Sequence, residues 1–315
     1  MNTIKYLQFE KGHQTLFLRT VKNASFSTWN KFAEFFNVNR SMVFLYLSEK
    51  SKLPYKSYLR LLRKSNIDPK PFCFRIISSN DYGVAEIPTT YTDDLAWFVG
   101  ILLGDGHIDD YNYQVTIAFH SVLESSYLKK VKALIERLFK KGVSENTSKR
   151  SKASYLRLNS KIVVDFLATE CGIPTGKRIR TSNNRIPEVI LNNPSLLRSC
   201  ICGIFDSEGG LHSRHHKAAR ICIYNKCPVL LESVQSALLK LGYHVQLKVN
   251  CVKLGRTSEI IRFFEEIKPQ NNYKLIKYNE WRKSGRVPST AEVERYLIGE
   301  HKVEASYGSV SVVEN

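Results

Sequence analysis

The sequence predicts an α+β protein: two αββαββα repeats behind a small N-terminal all-α domain. Three observations lead there. Strand-like alternation comes in hairpin pairs between amphipathic helices, the pattern of antiparallel sheets with helices on one face. The order helix, strand, strand, helix, strand, strand, helix occurs twice, in units of about a hundred residues. Residues 1–86 show only helical periodicity. The expected units are 1–86, 87–178 and 179–285, followed by a tail over 286–315.

In the first unit, residues 27–36 read as a helix with Phe32, Ala33, Phe35 and Phe36 apolar. Asn37-Val38-Asn39 interrupts it, residues 40–48 read as a second helix, and residues 55–64 as a third. Helix, short turn, helix and supporting helix resembles the repressor-like helix-turn-helix family. That resemblance implies a core containing Val38 and Val43. It also implies a reading helix presenting Arg40, Ser41 and Phe44 to DNA, with Lys50, Lys52 and Lys56 near phosphates. A helical cap packed on the main body is the alternative.

The first repeat opens with an apolar helix over 93–103, capped by Thr92 and closed by Gly104-Asp105-Gly106. A hairpin over 107–110 and 113–120 follows, turning at Tyr111-Asn112. Next come an amphipathic helix over 124–139, strands over 143–149 and 154–159, and a helix over 161–170. The second repeat follows a loop containing Pro187 and Pro194. Its helix spans 195–205 and is closed by Asp206-Ser207-Glu208-Gly209-Gly210. Strands over 211–214 and 220–224, a helix over 228–241, strands over 243–249 and 251–254, and a helix over 258–267 complete it. One more helix is expected at 290–298, then a disordered polar tail.

Composition limits the function classes. The 315 residues carry 47 Lys and Arg against 29 Asp and Glu, a formal +18, which suits a polyanion such as nucleic acid. Residues 1–90 hold 14 basic and 6 acidic side chains, so that segment shares the bias. No apolar run is long enough to span a bilayer, and residues 1–5 lack a signal-peptide core. Seven scattered cysteines fit reduced thiols. The expectation is a soluble protein of the cytoplasm, associated with the nucleoid, with no membrane partner and an organelle as the alternative site. Neither His212, His215 and His216 nor Cys200, Cys202, Cys222 and Cys227 has the spacing of a zinc site. No Walker-type phosphate loop occurs.

The chemistry sits at the ends of the two repeat-opening helices. Gly100 and Gly104 in one, and Gly203 and Ser207 in the other, give the small-xxx-small spacing that lets helix backbones approach closely. Such a crossing brings Asp105 and Glu208 side by side, where two carboxylates repel unless a divalent cation lies between them. Mg²⁺ takes such oxygen ligands together with phosphate oxygens. Phe98-Val99-Gly100-Ile101-Leu102-Leu103-Gly104-Asp105-Gly106 and Ile201-Cys202-Gly203-Ile204-Phe205-Asp206-Ser207-Glu208-Gly209 resemble the two motifs of the LAGLIDADG homing endonuclease family, in its single-chain, two-motif form. The resemblance runs over residues 92–281. It implies two β-saddles forming a core, a monomer that cuts a long double-stranded DNA site, and Asp105 and Glu208 as the catalytic metal ligands. It also implies catalytic basic residues at Lys177 and Lys274, with Arg178 and Lys277 as alternatives, and a structural role for Asp206.

If Val115, Ile117 and Phe119 cover the helices, Gln114 and Thr116 face away from them. The same alternation exposes Arg157, Arg220, Gln246 and Lys248, and the first strands add His107, His212 and Arg214. These side chains can read major-groove base edges. Two rivals keep the fold: an intron maturase that binds its intron RNA, and a non-catalytic DNA-binding regulator.

Overall fold

A computed structural model of the chain describes residues 5–78, 85–148, 151–176, 184–213 and 218–307, with side chains to residue 299. Lys177, Arg178, Arg214, His215, His216 and the last residues of the polar tail lie outside the described residues.

The N-terminal unit runs β1 (Lys5–Phe9), α1 (His13–Ser25), α2 (Trp29–Phe36), α3 (Arg40–Leu47), β2 (Leu53–Pro54), α4 (Tyr55–Ser65) and β3 (Phe74–Ser78). It is not all-α. Its strands form an antiparallel sheet in the order β2-β1-β3. The reason is local weakness: only Leu7 of β1 is fully buried, so those five residues carry little alternation of their own. The strand forms because Phe74–Ser78, far along the chain, pairs with it. Helix α1 buries Phe17, Leu18 and Val21 together with Gln14. The Gln14 amide donates to the carbonyls of Tyr46 (2.7 Å) and Ser51 (2.8 Å) and accepts from Leu53 N (3.2 Å), so its burial is compensated. Asn37, in the left-handed region at φ 54°, turns the chain from α2 to α3, and Asn39 caps α3 by accepting from Met42 N at 2.8 Å. Val43 is core and Val38 packs partly buried against it.

The first repeat runs α5 (Asp93–Asp105), β4 (Gly106–Asp109), β5 (Gln114–His120), α6 (Ser125–Phe139), β6 (Ser144–Thr147), β7 (Ala153–Asn159) and α7 (Lys161–Thr169). A short helix, α8 (Glu188–Leu191), leads to the second repeat. This runs α9 (Pro194–Glu208), β8 (Gly209–Ser213), β9 (Ala219–Tyr224), α10 (Pro228–Lys240), β10 (Gln246–Lys248), β11 (Cys251–Leu254) and α11 (Thr257–Ile267). Two further helices follow, α12 (Asn272–Ser284) and α13 (Thr290–Tyr307). The sheets have matching antiparallel orders, β4-β5-β7-β6 and β8-β9-β11-β10. The fold is α+β.

Three differences from the expected elements bear on function. Helices α5 and α9 do not stop at Leu103 and Phe205 but carry Asp105 and Glu208 in their last turns; the chain leaves the helix at Gly106 and Gly209, both extended. The second differs by burial: Tyr243 is drawn out of the expected strand, its N–H capping the end of α10 at Leu238 O, so β10 is short. The third is α12, which has no apolar stripe to announce it and forms around the buried Lys274 and Trp281.

Candidate functional site

Helices α5 and α9 pack along their glycines. A Cβ on Gly100 would lie 2.1 Å from the Cys200 carbonyl oxygen, and one on Gly203 would lie 2.2 Å from that of Trp97. Neither position accepts a side chain while the backbones keep this distance. At the C-terminal ends, a Cβ on Gly104 would lie 2.1 Å from Ser207 Oγ and 3.0 Å from Glu208 Cγ. Ser207 Oγ folds back onto the Gly203 and Ile204 carbonyls (3.0 and 3.1 Å), which keeps the helix end narrow.

That convergence delivers Asp105 and Glu208 to one cleft of about 1390 Å³, whose lining also includes His107, Tyr224, Asn225 and Lys226. His107 stands on β4 and Tyr224 on β9, so the cleft opens between the two sheets. Glu208 is partly buried, and its Oε1 accepts a hydrogen bond from Asn225 Nδ2 at 2.8 Å. Burial first, then the charge of Asp105, raises its carboxyl to about 7. Asp105 reaches solvent in the cleft, yet the protein around it and the Glu124 carboxylate raise its carboxyl as well. Among the described residues neither acid forms an ion pair, and no third His, Cys, Asp or Glu gathers with them. Two carboxylates in one cleft, both held above their ordinary pKa, fit a hard divalent cation, with water and phosphate oxygens able to fill the rest of its shell.

Lys274 is not in the cleft as a free ammonium. It is buried, and its Nζ donates to the carbonyls of Phe205 (2.5 Å), Asp206 (2.5 Å) and Ser207 (3.0 Å). An ammonium has three donors, and all are committed. This corrects its expected role: Lys274 closes the C-terminal end of α9, where a cation suits the helix dipole, and cannot at the same time steady a phosphate. Asp206 is fully buried next to it. Its carboxylate accepts from Trp97 Nε1 (3.1 Å) across the helix pair, and from the backbone N–H groups of Gln270 (2.9 Å) and Asn271 (3.0 Å). Asn271 in turn donates to Glu124 Oε1 at 2.7 Å, linking this cluster to the first repeat. The sequence offers no signal for Glu124, Asn225 or Asn271.

The strand register sorts the remaining candidates. In the first sheet His107, Thr116, Arg157 and Ser144 lie side by side across β4, β5, β7 and β6, and Asp109, Gln114 and Asn159 form the next row. Val115, Ile117, Leu156 and Leu158 point the other way, into the core. In the second sheet Gly210, Cys222, Lys253 and Gln246 form one row, with His212–Arg220 and Tyr224–Cys251–Lys248 on either side. Cys222 shares this face yet is fully buried. Lys253, between Cys222 and Gln246, belongs to the face although alternation does not single it out. Among the described residues the buried Nε–H groups of Arg157 and Arg220 have no hydrogen-bond partner. His212 is held below its ordinary pKa by burial and the nearby Lys277 and Arg220 cations. In the N-terminal unit Arg40 and Ser41 are exposed at the start of α3, with the Arg40 guanidinium 5.8 Å from the Phe44 ring centre. All seven cysteines are free.

Comparison with known proteins adds a family. The family described as a LAGLIDADG-like domain matches residues 195–275. Two curated relatives from Methanocaldococcus jannaschii each align with 50% of the chain: a replication factor C small subunit (26% identity) and a glutamine–fructose-6-phosphate aminotransferase (29%). The chain spans only 8% and 13% of their lengths. A solved structure of I-DmoI in complex with DNA and Mn is similar over 56% of this chain and 96% of that one, at 21% identity and a TM-score of 0.39. The N-terminal LAGLIDADG domain of DUF199/WhiA is similar over 56% of this chain and 82% of that one, at 15% identity and a TM-score of 0.41. Residues 195–275, which hold α9 and the second repeat, thus match a LAGLIDADG-like domain.

Proposed function

We propose that this chain is a site-specific double-strand DNA endonuclease of the homing type, acting as a monomer with the two repeats as its halves. One observation carries the reading: two carboxylates from two glycine-packed helices meet in a single cleft, and the open faces of both sheets flank it. Asp105 and Glu208 would hold Mg²⁺ or a similar divalent cation. When bound, such a cation supplies a more acidic water and charge stabilisation for a phosphodiester leaving oxygen. The chain's own residues do the rest. Asn225 orients the Glu208 carboxylate, Lys274 fixes the last turn of α9, and the strand residues bind and orient the duplex. Lys177 remains a proposed catalytic cation, and α2–α3 a proposed helix-turn-helix that would add binding surface. Intron homing and an intron RNA partner would follow from the gene's setting.

The test is cleavage of a plasmid library carrying candidate sites, with and without Mg²⁺. Asp105→Asn and Glu208→Gln are each expected to abolish cutting or reduce it at least about 100-fold, while duplex binding persists. Full double-strand cutting by either variant would refute the assignment. DNA binding without cutting by the wild-type chain would instead favour the regulator, and tight binding to intron RNA alone the maturase.

A further inference from the structure

The two repeats share register but not chemistry on the faces that flank the cleft. Because Gly106 pairs with Ile117 as Gly209 pairs with Ile223, each position of one sheet has a counterpart in the other. Asp109 corresponds to His212, Gln114 to Arg220, Arg157 to Lys253 and Asn146 to Lys248. The described rows of the first sheet thus carry one negative and one positive side chain, and those of the second carry three positive and none negative. The turns bearing Lys149, Arg150 and Arg214 lie outside the described residues, so the contrast is one of strand rows.

The first sheet is also wired before any ligand arrives. Thr116 Oγ1 donates to Gln114 Oε1 at 3.1 Å, and Gln114 Nε2 donates to Asn159 Oδ1 at 2.7 Å. The Asp109 carboxylate is occupied by the N–H groups of Tyr111 (2.9 Å) and Asn112 (3.0 Å). Amide side chains held in one orientation suit bidentate recognition of a base edge, adenine above all. Among the described residues no comparable hydrogen bond restrains Lys248, which is exposed on the edge strand β10. Long cations of that kind suit phosphates, which supply affinity without sequence information.

We infer that the two halves of the groove divide the work: the hydrogen-bonded Thr116, Gln114 and Asn159 side chains of the first sheet select bases, and Arg220, Lys248 and Lys253 of the second supply the strand-borne electrostatic affinity. This rests on the DNA-binding part of the proposed function but not on cleavage. The expected site is therefore unequal, more sequence-restricted in the half covered by the first repeat.

The experiment needs no known target. Binding of the full chain to mixed-sequence duplex DNA is followed from low to moderate salt, for the wild type, the combined Arg220→Gln, Lys248→Gln and Lys253→Gln variant, and the combined Gln114→Ala and Asn159→Ala variant. Each lost phosphate contact lowers the log–log salt slope by about 0.9, so the first variant is expected to lose about two to three units and the second none. Selection from a randomised duplex pool is expected to show the amide variant losing base preference in one half-site while the wild type keeps it. Should the triple variant not fold, Lys248→Gln alone, on the exposed edge, is expected to lose about 0.9. An unchanged slope in the cationic variants, or an unchanged base preference in the amide variant, overturns the division of roles. A wild-type chain that binds no duplex at all overturns the DNA reading itself.

Discussion

Glu208 and Lys274 show how single side chains set the site's behaviour. The Glu208 carboxyl lies at about 7 in the folded chain against an ordinary value of 4.5. A carboxyl raised by folding is no burden while protonated in both states, so the penalty is absent below the ordinary value. It grows as pH rises and is complete above about 7. In the absence of divalent cation, wild-type stability is therefore expected to fall relative to Glu208→Gln between about pH 5 and about pH 8, by at most about 3 kcal/mol. Denaturant unfolding of both proteins across that range measures it; parallel pH profiles would mean Glu208 is not held protonated. For Lys274→Met, three carbonyls lose their donor and buried Asp206 loses its neighbouring cation. Removing one partner from a buried charge cluster typically destabilises by about 3–5 kcal/mol, and a loss of that size is expected in chemical denaturation. A near-neutral Lys274→Met would show that its ammonium is not the buried closure of α9.

At the scale of elements, the α5–α9 crossing depends on the absence of two side chains. Gly100→Ala and Gly203→Ala each place a methyl group against partner backbone, at 2.1 Å and 2.2 Å, where no rotamer change relieves it. Overpacking of this kind typically costs about 1–3 kcal/mol, and here it also separates the ends that carry Asp105 and Glu208. Both variants are expected to melt earlier and to lose cleavage out of proportion to their stability. Gly142→Ala is the control: nothing lies within 4 Å of its added Cβ, so stability is expected to stay within about 0.5 kcal/mol. Equal melting temperatures for all three variants and the wild type would rule out a tight helix crossing. The spacing of these glycines was readable in the sequence because small residues four apart need no partner to be seen. The strand rows were only half readable. Alternation separates Gln114 and Thr116 from Val115 and Ile117, but it does not say that Cys222 would be covered or that Lys253 stands in line with Arg157.

Across the whole molecule, the N-terminal unit is joined to the first repeat by more than a linker. Ile76 bridges to Ile87, Arg75 pairs with Glu86, and Lys5 pairs with Glu170 at the end of α7. Glu86 N donates to Phe139 O, and Ala85 and Ile87 are buried, so a truncation intended to keep the repeats intact should begin at Ala85. Such a protein is expected to remain folded and to retain metal-dependent cutting, with a shallower salt dependence because Arg40, Lys50, Lys52 and Lys56 are gone. Salt titrations of truncated and full-length chains on one duplex compare the slopes. Equal slopes would make the N-terminal unit a packing element without a DNA contact. The other end also reaches across: Glu294 of α13 pairs with Lys152 beside β7, and Lys130 of α6 donates to the carbonyl of Gln270.

By itself the sequence determined the repeat, the order of elements within it, the paired acids and the glycines that bring them together. All of these are signals within a few residues of one another: a period, a cap, a spacing of four. Tertiary structure alone decided the rest. It recruited Lys5–Phe9 into a sheet through a strand some seventy residues away, which no window on the first unit could anticipate. It carried the motif helices through Asp105 and Glu208, because the close backbone approach at Gly104 makes the last turn part of a packed interface. It took Lys274 from the cleft, where its position in the repeat suggested it would stand, and buried it against the end of α9. A charge in a low-dielectric interior must find its donors and acceptors, and only the folded chain brings three carbonyls to one ammonium.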